Sequence, residues 1–383
     1  MNSYDVIIIG AGSIGAPLAM FLAGEKAKVL VLDAAASPGQ GQNKAAIGGV
    51  RATHSDGSKI KAGLRSLEIF STWKENHGDD ISWRKGGYCF PCYTEKDEKM
   101  MKEMLAVQKK FGLKINWLDG KQTAELVEGI NAEGLRGCTY SPDDGSASPL
   151  LSVNAFYRRA KKLGAAFNFN EKVEKIFMQK NKVYGVQTNK NRYGAGFVVN
   201  AAGAGAKAVA ALAGIKIPVN PDTHEAGITE PVERFLEPMV VDIRECPASK
   251  NYYFYQNAEG QIVFSLTPNP PVWGEDRRST SGLLPEIAKR IIRLIAKLSN
   301  IRVRRTWRGL YPMTPDGFPI VDFACEPEGF VLAAGMCGQG FMLGPGIGDA
   351  LSKAILNKAA DSEKTILKGF ALNRDFSGQE KLK

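Results

Sequence analysis

The hydrophobic pattern of the first 33 residues predicts a strand, a helix and a second strand, in that order. Residues 5–9 and 28–32 are mostly apolar runs of strand length, and residues 16–23 are apolar enough for a buried helix. Asp33 follows the second strand directly. This order is typical of a dinucleotide-binding unit. The connection between strand and helix contains the candidate phosphate-binding residues Gly10, Gly12, Ser13, Ile14 and Gly15.

Each part of this unit has a physical task. Gly10 permits a tight turn, Gly12 lets a pyrophosphate approach the backbone, and Gly15 lets the helix pack closely on the strand. The helix N-terminus offers unpaired N–H groups to the phosphates, and the carboxylate of Asp33 can accept hydrogen bonds from ribose hydroxyls. The motif by itself fits FAD or NAD. The acid at position 33 disfavours the phosphorylated nicotinamide cofactor, because its carboxylate would repel a 2′-phosphate.

The remaining pattern predicts a mixed α/β chain. Residues 225–304 have the short apolar runs and turns of an antiparallel sheet, interrupted by one helix at 283–298. A Gly-rich turn is predicted at 335–346. Other predicted helices are 60–75, 95–111, 149–163 and 348–357, and other predicted strands begin near 86, 166, 173, 183, 197 and 330.

Composition narrows the class of protein. The 383 residues provide two or three domains' worth of material, and 44% hydrophobic residues with 41 Gly fit a soluble α/β enzyme. No apolar run reaches the length of a membrane span and the N-terminus is predicted as a strand, so we expect a cytoplasmic protein with no transmembrane segment. The net charge of +10 suits anionic cofactors and carboxylate substrates. It is spread along the chain without aromatic interleaving, which argues against a nucleic-acid partner.

The six cysteines predict no metal site. Cys89 and Cys92 have C-x-x-C spacing, but no second pair completes a zinc or iron–sulfur site, and the three His residues are scattered. We therefore expect free thiols in a reducing compartment.

Several separated motifs together resemble one superfamily over nearly the full length. The chain is similar to the D-amino-acid oxidase-like flavoproteins, the group that contains sarcosine oxidase, glycine oxidase and the β subunit of dye-linked L-proline dehydrogenase. The motifs are the N-terminal unit, residues 47–57 with Arg51, Asp144-Gly145, residues 198–203, residues 307–316 and residues 333–342.

This resemblance implies a fold class of α/β plus α+β. A Rossmann-like FAD-binding domain would comprise residues 1–85, 145–220 and 305–383. A substrate-binding domain on a mixed, largely antiparallel sheet would comprise residues 86–144 and 221–304. FAD would be bound non-covalently, because Gly309 replaces the cysteine that links the flavin in monomeric sarcosine oxidase.

The resemblance also assigns cofactor-binding residues beyond the N-terminal unit. Gly340, Phe341 and Met342 match the loop whose N–H groups face the flavin, where a helix N-terminus would stabilise the reduced flavin. Val173 stands where the family places backbone atoms against adenine. The remaining residues of this set are Asn43, Lys44, Gly48, Ala202, Gly203, Gly309 and Gly338.

Substrate binding would depend on Arg51, which matches a family arginine that binds the substrate carboxylate. The sarcosine-type lysine is replaced by Met342, and the arginine that glycine oxidase has near Tyr311 is absent, so Tyr311 and Tyr253 are further candidates. His224 is a candidate for orienting substrate or tuning the flavin, or for a structural role. The lysine that supports oxygen reduction is replaced near Ile262, which favours a dehydrogenase.

We therefore expect an FAD-dependent oxidoreductase that oxidises the CH–NH bond of a small amino acid or secondary amine such as sarcosine, proline, hydroxyproline or glycine. Hydride would pass to flavin N5 and leave an imine. The electrons would then pass to a partner subunit or a quinone. Two alternatives stay open: oxidation of a 2-hydroxy acid or glycerol phosphate, and an FAD-bearing β subunit that is active only in a hetero-oligomer.

Overall fold

The computed structural model describes residues 2–382; Met1 and Lys383, the outer ends of the predicted FAD-binding segments, lie outside the described residues. The strands, in chain order, are β1 (Asn2–Ile9), β2 (Val29–Leu32), β3 (Gly49–Val50), β4 (Arg84–Lys85), β5 (Tyr88–Cys92), β6 (Asn116–Asp119), β7 (Gly137–Ser141), β8 (Gly145–Ser146), β9 (Ala166–Asn168), β10 (Val173–Gln179), β11 (Lys182–Thr188), β12 (Arg192–Asn200), β13 (Asn220–Pro231), β14 (Met239–Asp242), β15 (Ser249–Gln256), β16 (Gln261–Pro268), β17 (Val303–Met313), β18 (Ile320–Phe323) and β19 (Phe330–Ala334).

The helices follow the same order. They are α1 (Gly15–Gly24), α2 (Gly57–Ser71), α3 (Trp73–His77), α4 (Glu95–Lys110), α5 (Gly120–Leu126), α6 (Pro149–Lys162), α7 (Ala206–Ala211), α8 (Leu283–Leu294), α9 (Gly340–Ile355) and α10 (Asp361–Lys368). Short 3₁₀ turns occupy Asn43–Ala45, Gly203–Gly205 and Ala296–Asn300.

The first sheet has the order β10-β11-β12-β1-β2-β9, with β19 beside the second half of β12 and β18 beside β19. Its central pairs β12–β1, β1–β2 and β12–β19 are parallel. Apolar side chains of β1 and β2 are buried on both faces of the sheet. This double burial explains why these strands are nearly continuous hydrophobic runs.

The second sheet has the order β17-β13-β16-β15-β14-β5-β7-β6, and the pair β14–β5 is parallel while the others are antiparallel. Leu283, Ile287, Ile291 and Leu294 of α8 pack with the apolar side chains of this sheet. β3, β8 and β4 form a small third sheet. The mixed α/β architecture predicted from the sequence is confirmed.

The glycine-rich C-terminal stretch differs from the prediction. The turn expected at residues 335–346 is wrong in its second half, because α9 begins at Gly340. A Cβ at Gly344 would lie 2.1 Å from the Ser13 carbonyl oxygen, and one at Gly346 would lie 2.1 Å from the Ala62 carbonyl oxygen. The glycines therefore let α9 approach α1 and α2 closely, and this packing outweighs their low helix propensity.

Two other helices differ in extent from their predicted ranges. The stretch predicted as one helix at 60–75 is divided at Thr72 into α2 and α3. The helix predicted at 283–298 ends at Leu294, and a 3₁₀ turn follows it. In contrast, α4 and α6 lie within one residue of their predicted ends, because Thr94 and Ser148 cap them with their hydroxyl groups.

Candidate functional site

A cavity of about 1940 Å³ is lined by residues of both large sheets. Ile9, Leu32 and Ala334 contribute from the carboxyl ends of β1, β2 and β19, and the second sheet contributes from β13 to β17. Pockets for small ligands typically enclose about 300–1,000 Å³. The volume therefore accommodates a dinucleotide together with a small substrate.

One end of the cavity is formed by the glycine-rich turn after β1. The carboxylate of Asp33 accepts hydrogen bonds from the backbone N–H groups of Ala11 (2.7 Å) and Ala35 (2.8 Å). Each carboxylate oxygen keeps acceptor capacity for a ribose hydroxyl. A Cβ at Gly12 would meet no atom within 4 Å, so the backbone is open to a ligand at this point. By contrast, a Cβ at Gly15 would lie 1.9 Å from the Gly10 carbonyl oxygen, which is the close packing expected of this position.

Two buried amide oxygens support a polar ligand in this cavity. Asn43 and Gln339 line the site, and their buried side-chain oxygens, Oδ1 and Oε1, find no hydrogen-bond partner among residues 2–382. Gln339 immediately precedes α9, whose first residues, Gly340, Phe341 and Met342, also line the cavity. The N-terminus of α9 therefore adds a partial positive charge and free N–H groups. These features fit the phosphates and the polar flavin edge of FAD.

Most of the predicted site residues meet in this one cavity. Gly15 and Lys44 are the exceptions: Gly15 is buried behind the turn, and Lys44 is exposed on the 3₁₀ turn outside the cavity. The contact of Lys44 with the cofactor stays a prediction. The residues that do line the cavity are Gly10, Gly12, Ser13, Ile14, Asp33, Asn43, Gly48, Arg51, Val173, Ala202, Gly203, His224, Tyr253, Gly309, Tyr311, Gly338, Gly340, Phe341 and Met342.

The second sheet places a polar wall on the cavity, which we define as Asp222, His224, Tyr253 and Tyr311. The hydroxyls of Tyr253 and Tyr311 are hydrogen-bonded at 2.7 Å. The His224 ring stacks on the Tyr311 ring with centroids 3.8 Å apart and planes 13° apart. His224 Nε2 lies 3.1 Å from Asp222 Oδ2. Burial, and then the neighbouring Tyr253, raise the pKa of Tyr311 well above its ordinary range, so its phenol is protonated at neutral pH.

Arg51 is buried in the cavity lining. Its guanidinium donates hydrogen bonds to the backbone carbonyls of Thr53 and Leu382 and lies over the rings of Tyr88 and Phe90. Two of its N–H groups are therefore used within the chain. The guanidinium carries five N–H donors, so others stay open to a ligand.

Asp144 anchors the loop that carries Arg51 through hydrogen bonds. The Asp144 carboxylate accepts hydrogen bonds from Ala52 N (2.9 Å) and Thr53 Oγ1 (2.6 Å), and burial raises the pKa of Asp144 to about 6. His54 lies beside Arg51, with its Nδ1 3.4 Å from the guanidinium. Burial, and then the charge of Arg51, lower the pKa of His54 well below its ordinary range, so His54 is neutral.

The C-terminal segment, residues 378–382, closes one side of the cavity. Glu380 forms an ion pair of 3.0 Å with Lys59, and both side chains are fully shielded from solvent. The Glu380 carboxylate also accepts hydrogen bonds from Ser55 Oγ (2.6 Å) and from the backbone N–H of Leu382 (3.0 Å). The Leu382 side chain packs among Tyr88 and other apolar residues. This buried ion pair therefore holds the segment against Arg51.

Other expectations have these outcomes. Within the described residues, no three His, Cys, Asp or Glu side chains are grouped to hold a metal ion. All six cysteines are free, and those at 89 and 92 are buried. No described helix has both the length and the apolar content needed to cross a membrane. Ile262 is buried in the core of the second sheet and does not line the cavity, so it carries no information on oxygen reactivity.

The sequence did not predict three further parts of the cavity lining: Asp222, Gln339 and the C-terminal segment. Asp222 precedes the predicted His224 by two residues, and strand alternation would have placed both on one face. Gln339 lies in the predicted motif of residues 333–342, but no role was predicted for it. The C-terminal segment gave no local signal, because its contacts with Ser55 and Arg51 join residues more than 300 positions apart.

Comparisons with known proteins agree with this geometry. A family model described as DAO, FAD dependent oxidoreductase, matches residues 5–354. Glycine oxidase of Geobacillus kaustophilus (strain HTA426) is 25% identical over 90% of this chain and 90% of that protein. Sarcosine oxidase subunit beta of Arthrobacter sp is 26% identical over 98% of this chain and 90% of that protein.

Among solved structures, the crystal structure of L-proline dehydrogenase from P. horikoshii is similar with a TM-score of 0.91 and 28% identity. That match covers 97% of this chain and 98% of the other.

Proposed function

We propose that this chain, which belongs to the DAO family of FAD dependent oxidoreductases, oxidises the carbon–nitrogen bond of a small amino acid or secondary amine. Candidates are sarcosine, proline, hydroxyproline and glycine. The observation that carries the proposal is one cavity with a dinucleotide turn at one end and Arg51, Tyr253 and Tyr311 elsewhere on its lining. Similarity to glycine oxidase, sarcosine oxidase subunit beta and L-proline dehydrogenase supports the same reaction class.

FAD would be held non-covalently by the glycine-rich turn, Asp33, Asn43 and the start of α9. When bound, FAD supplies the acceptor for the hydride. The substrate carbon loses that hydride and the nitrogen loses a proton, which leaves an imine for water to hydrolyse.

The chain's own residues orient the substrate. Arg51 would bind the carboxylate, and the burial of Arg51 strengthens this charge-assisted contact. The Tyr253–Tyr311 pair would donate a further hydrogen bond to the substrate. A protonated Tyr311 cannot serve as a phenolate base, so its role is in binding and orientation. Tyr88, Phe90 and Met239 give this part of the cavity an apolar lining that limits water.

Two further assignments rest on the same proposal. Residues 1–85, 145–220 and 305–383 would form the FAD-binding domain, and residues 86–144 and 221–304 the substrate-binding domain. The first sheet draws its strands from the former segments. β17, which crosses residue 305, pairs with β13 along most of its length and so belongs to the second sheet. Free thiols support the expected cytoplasmic location.

The electron acceptor would be a partner subunit or a quinone. The support is the similarity to a protein named as a β subunit, whose name implies partner subunits. A chain of this kind would reoxidise slowly in air when isolated and quickly when its partner is added.

Anaerobic bleaching of the flavin absorption band tests the reaction. The purified holoenzyme is mixed with amino acids, amines, 2-hydroxy acids and glycerol phosphate, and air is then admitted. We expect a small amino acid or secondary amine to bleach the band. Bleaching by a hydroxy acid or glycerol phosphate alone would refute the amine assignment.

Two variants test the role of Arg51. Arg51→Met should raise the substrate concentration needed for a half-maximal bleaching rate by about 10- to 100-fold, because a charged hydrogen bond is lost. Lys74→Met removes a positive charge from the exposed surface of α3, outside the cavity lining, and should leave that concentration unchanged. Equal effects of both variants would contradict a binding role for Arg51. Thermal melting of each variant checks that it is folded.

A further inference from the structure

The polar wall is built by register between two antiparallel strands. Asp222 of β13 pairs with Tyr311 of β17, and His224 pairs with Gly309. Directly paired residues of antiparallel strands place their side chains on the same face. Since Gly309 has no side chain, the His224 ring has room to lie flat on the Tyr311 ring. Tyr311 also lies close to Gly338, where an added Cβ would be 2.1 Å from Tyr311 Cε2.

Asp222 uses both of its oxygens to hold this arrangement. Oδ1 accepts from the backbone N–H of Val272 at 2.8 Å, and Oδ2 lies 3.1 Å from His224 Nε2. Burial raises the pKa of the Asp222 carboxyl, but the hydrogen bonds from His224 and from the backbone N–H of Val272 outweigh that effect and leave the pKa below its ordinary value. An ionised carboxylate only accepts hydrogen bonds. The His224 proton is therefore on Nε2.

The positions of these rings determine where the Tyr311 hydroxyl lies in the cavity. His224 and Gly338 both lie against the Tyr311 ring, and the orientation of this ring sets where the Tyr311 hydroxyl meets that of Tyr253. Each phenol carries one proton. The bond between the two hydroxyls uses one proton, so one O–H stays available to an acceptor in the cavity.

We propose that Asp222 is a positioning residue of this site: by fixing the ring and tautomer of His224 it orients Tyr311, so that the Tyr253–Tyr311 pair donates to the substrate carboxylate. The proposal rests on the proposed function. Asp222 itself does not need to touch the substrate.

Asp222→Asn is the decisive variant, because it preserves shape and removes one acceptor. The amide oxygen can still accept from the Val272 N–H, whose backbone position is fixed by neighbouring contacts. The amide NH₂ group then faces His224 Nε2, so the histidine must move its proton to Nδ1. A substitution of this kind in a serine protease triad leaves the geometry intact but traps the wrong tautomer.

The tautomer can be read directly. The chain has three His residues, so ¹⁵N-histidine labelling of the holoenzyme gives a simple ring-nitrogen NMR spectrum. His224→Gln identifies the His224 signals. We expect a protonated Nε2 in the native enzyme and a protonated Nδ1 in Asp222→Asn. We also expect kcat/KM for the best substrate to fall by about 10- to 100-fold, as small misplacements of orienting groups do.

A matched control separates this role from simple anchoring of the loop that contains Val272, between β16 and α8. Thr223 Oγ1 donates to the Val272 carbonyl at 3.1 Å, so Thr223→Val loosens the same loop without changing the contact of Asp222 with His224. Support requires that Asp222→Asn switch the His224 signals and lower kcat/KM by more than Thr223→Val does. Any other combination of results overturns the proposal.

The spectrum is recorded without substrate, so it does not depend on the proposed reaction. If the native holoenzyme oxidises no amine, the proposed function fails, and kcat/KM is then measured with the hydroxy acid or other substrate that bleaches the flavin. An Asp222→Asn variant with an unchanged His224 spectrum would overturn the positioning role even if amine oxidation is established.

Discussion

Glu380→Gln tests whether the buried ion pair holds the C-terminal segment on the cavity. The change keeps the shape of the side chain and removes its charge. Lys59 would then be left in a fully shielded position, donating to the Gly317 carbonyl (2.7 Å) and lying 4.4 Å from the Phe318 ring centre, but without a counter-charge.

The expected size of the effect follows from this burial. Removing one partner of a buried ion pair costs about 3–5 kcal/mol, because the remaining charge is uncompensated. Unfolding entropy near 2.1 cal/mol/K per residue gives about 0.8 kcal/mol/K for a chain of this length. Glu380→Gln should therefore lower Tm by about 4–6 °C.

Thermal melting at pH 7 with a fixed concentration of FAD is the assay. Glu328→Gln is the matched control, because Glu328 pairs with Lys182 at 2.6 Å on the exposed surface, where such pairs contribute less than about 1 kcal/mol. Replacing both partners, as Lys59→Met with Glu380→Leu, should recover much of the loss. Equal Tm values for Glu380→Gln and Glu328→Gln would refute this reasoning.

Acid adds a second check on the same residue. Burial raises the pKa of the Glu380 carboxyl, but Lys59 and the hydrogen-bond donors around it outweigh burial and hold it below its ordinary value of 4.5. A depressed carboxyl pKa stabilises the folded state above the unfolded value, and this contribution is lost as the pH falls through the folded value. The Tm gap between native and variant enzyme should be constant above pH 4.5 and narrow on acidification.

Two further predictions concern the cavity. Gly338→Ala places a Cβ against the Tyr311 ring at a residue with φ of +78°, so anaerobic stopped-flow should show flavin reduction slowed at least about 10-fold in a folded protein. Burial raises the pKa of Asp144 from 3.8 to about 6, so the folded state binds the extra proton between these values and stability falls by about 2 kcal/mol as the pH rises from 4 to 6. Asp144→Asn should remove this slope from a plot of Tm against pH, and an unchanged slope would contradict it.

Local signals predicted the parts of the molecule that local physics determines. The β1–α1–β2 unit follows from apolar runs and glycine spacing, and α6 follows from Ser148 and Pro149 at its start. The start of α9 could not be predicted from local signals. Its glycines favour a turn in isolation, but in the folded chain they permit close contact with α1 and α2. The fold class and most cavity residues were predicted through the family resemblance.

The missed parts of the site depend on long-range pairing. Asp222 acquires its role only when β13 pairs with β17, which brings it beside Tyr311. Arg51 meets Leu382 from 331 positions away. Periodicity and capping report on neighbours in the chain, so neither contact leaves a trace in them.

The order of strands in the first sheet also dictates when this protein can assemble during synthesis. β1 is made first, but its neighbour β12 ends at Asn200, and the start of α9 that completes the cavity lies at Gly340. At about 5–20 residues per second, a ribosome needs roughly 15–65 s to travel from the glycine turn to α9. Until residue 200 has been made, β1 lacks its neighbour β12, and until residue 340 has been made the cavity lacks the start of α9. The yield of active protein in a cell should therefore depend on chaperones that shield β1 until β12 has been translated.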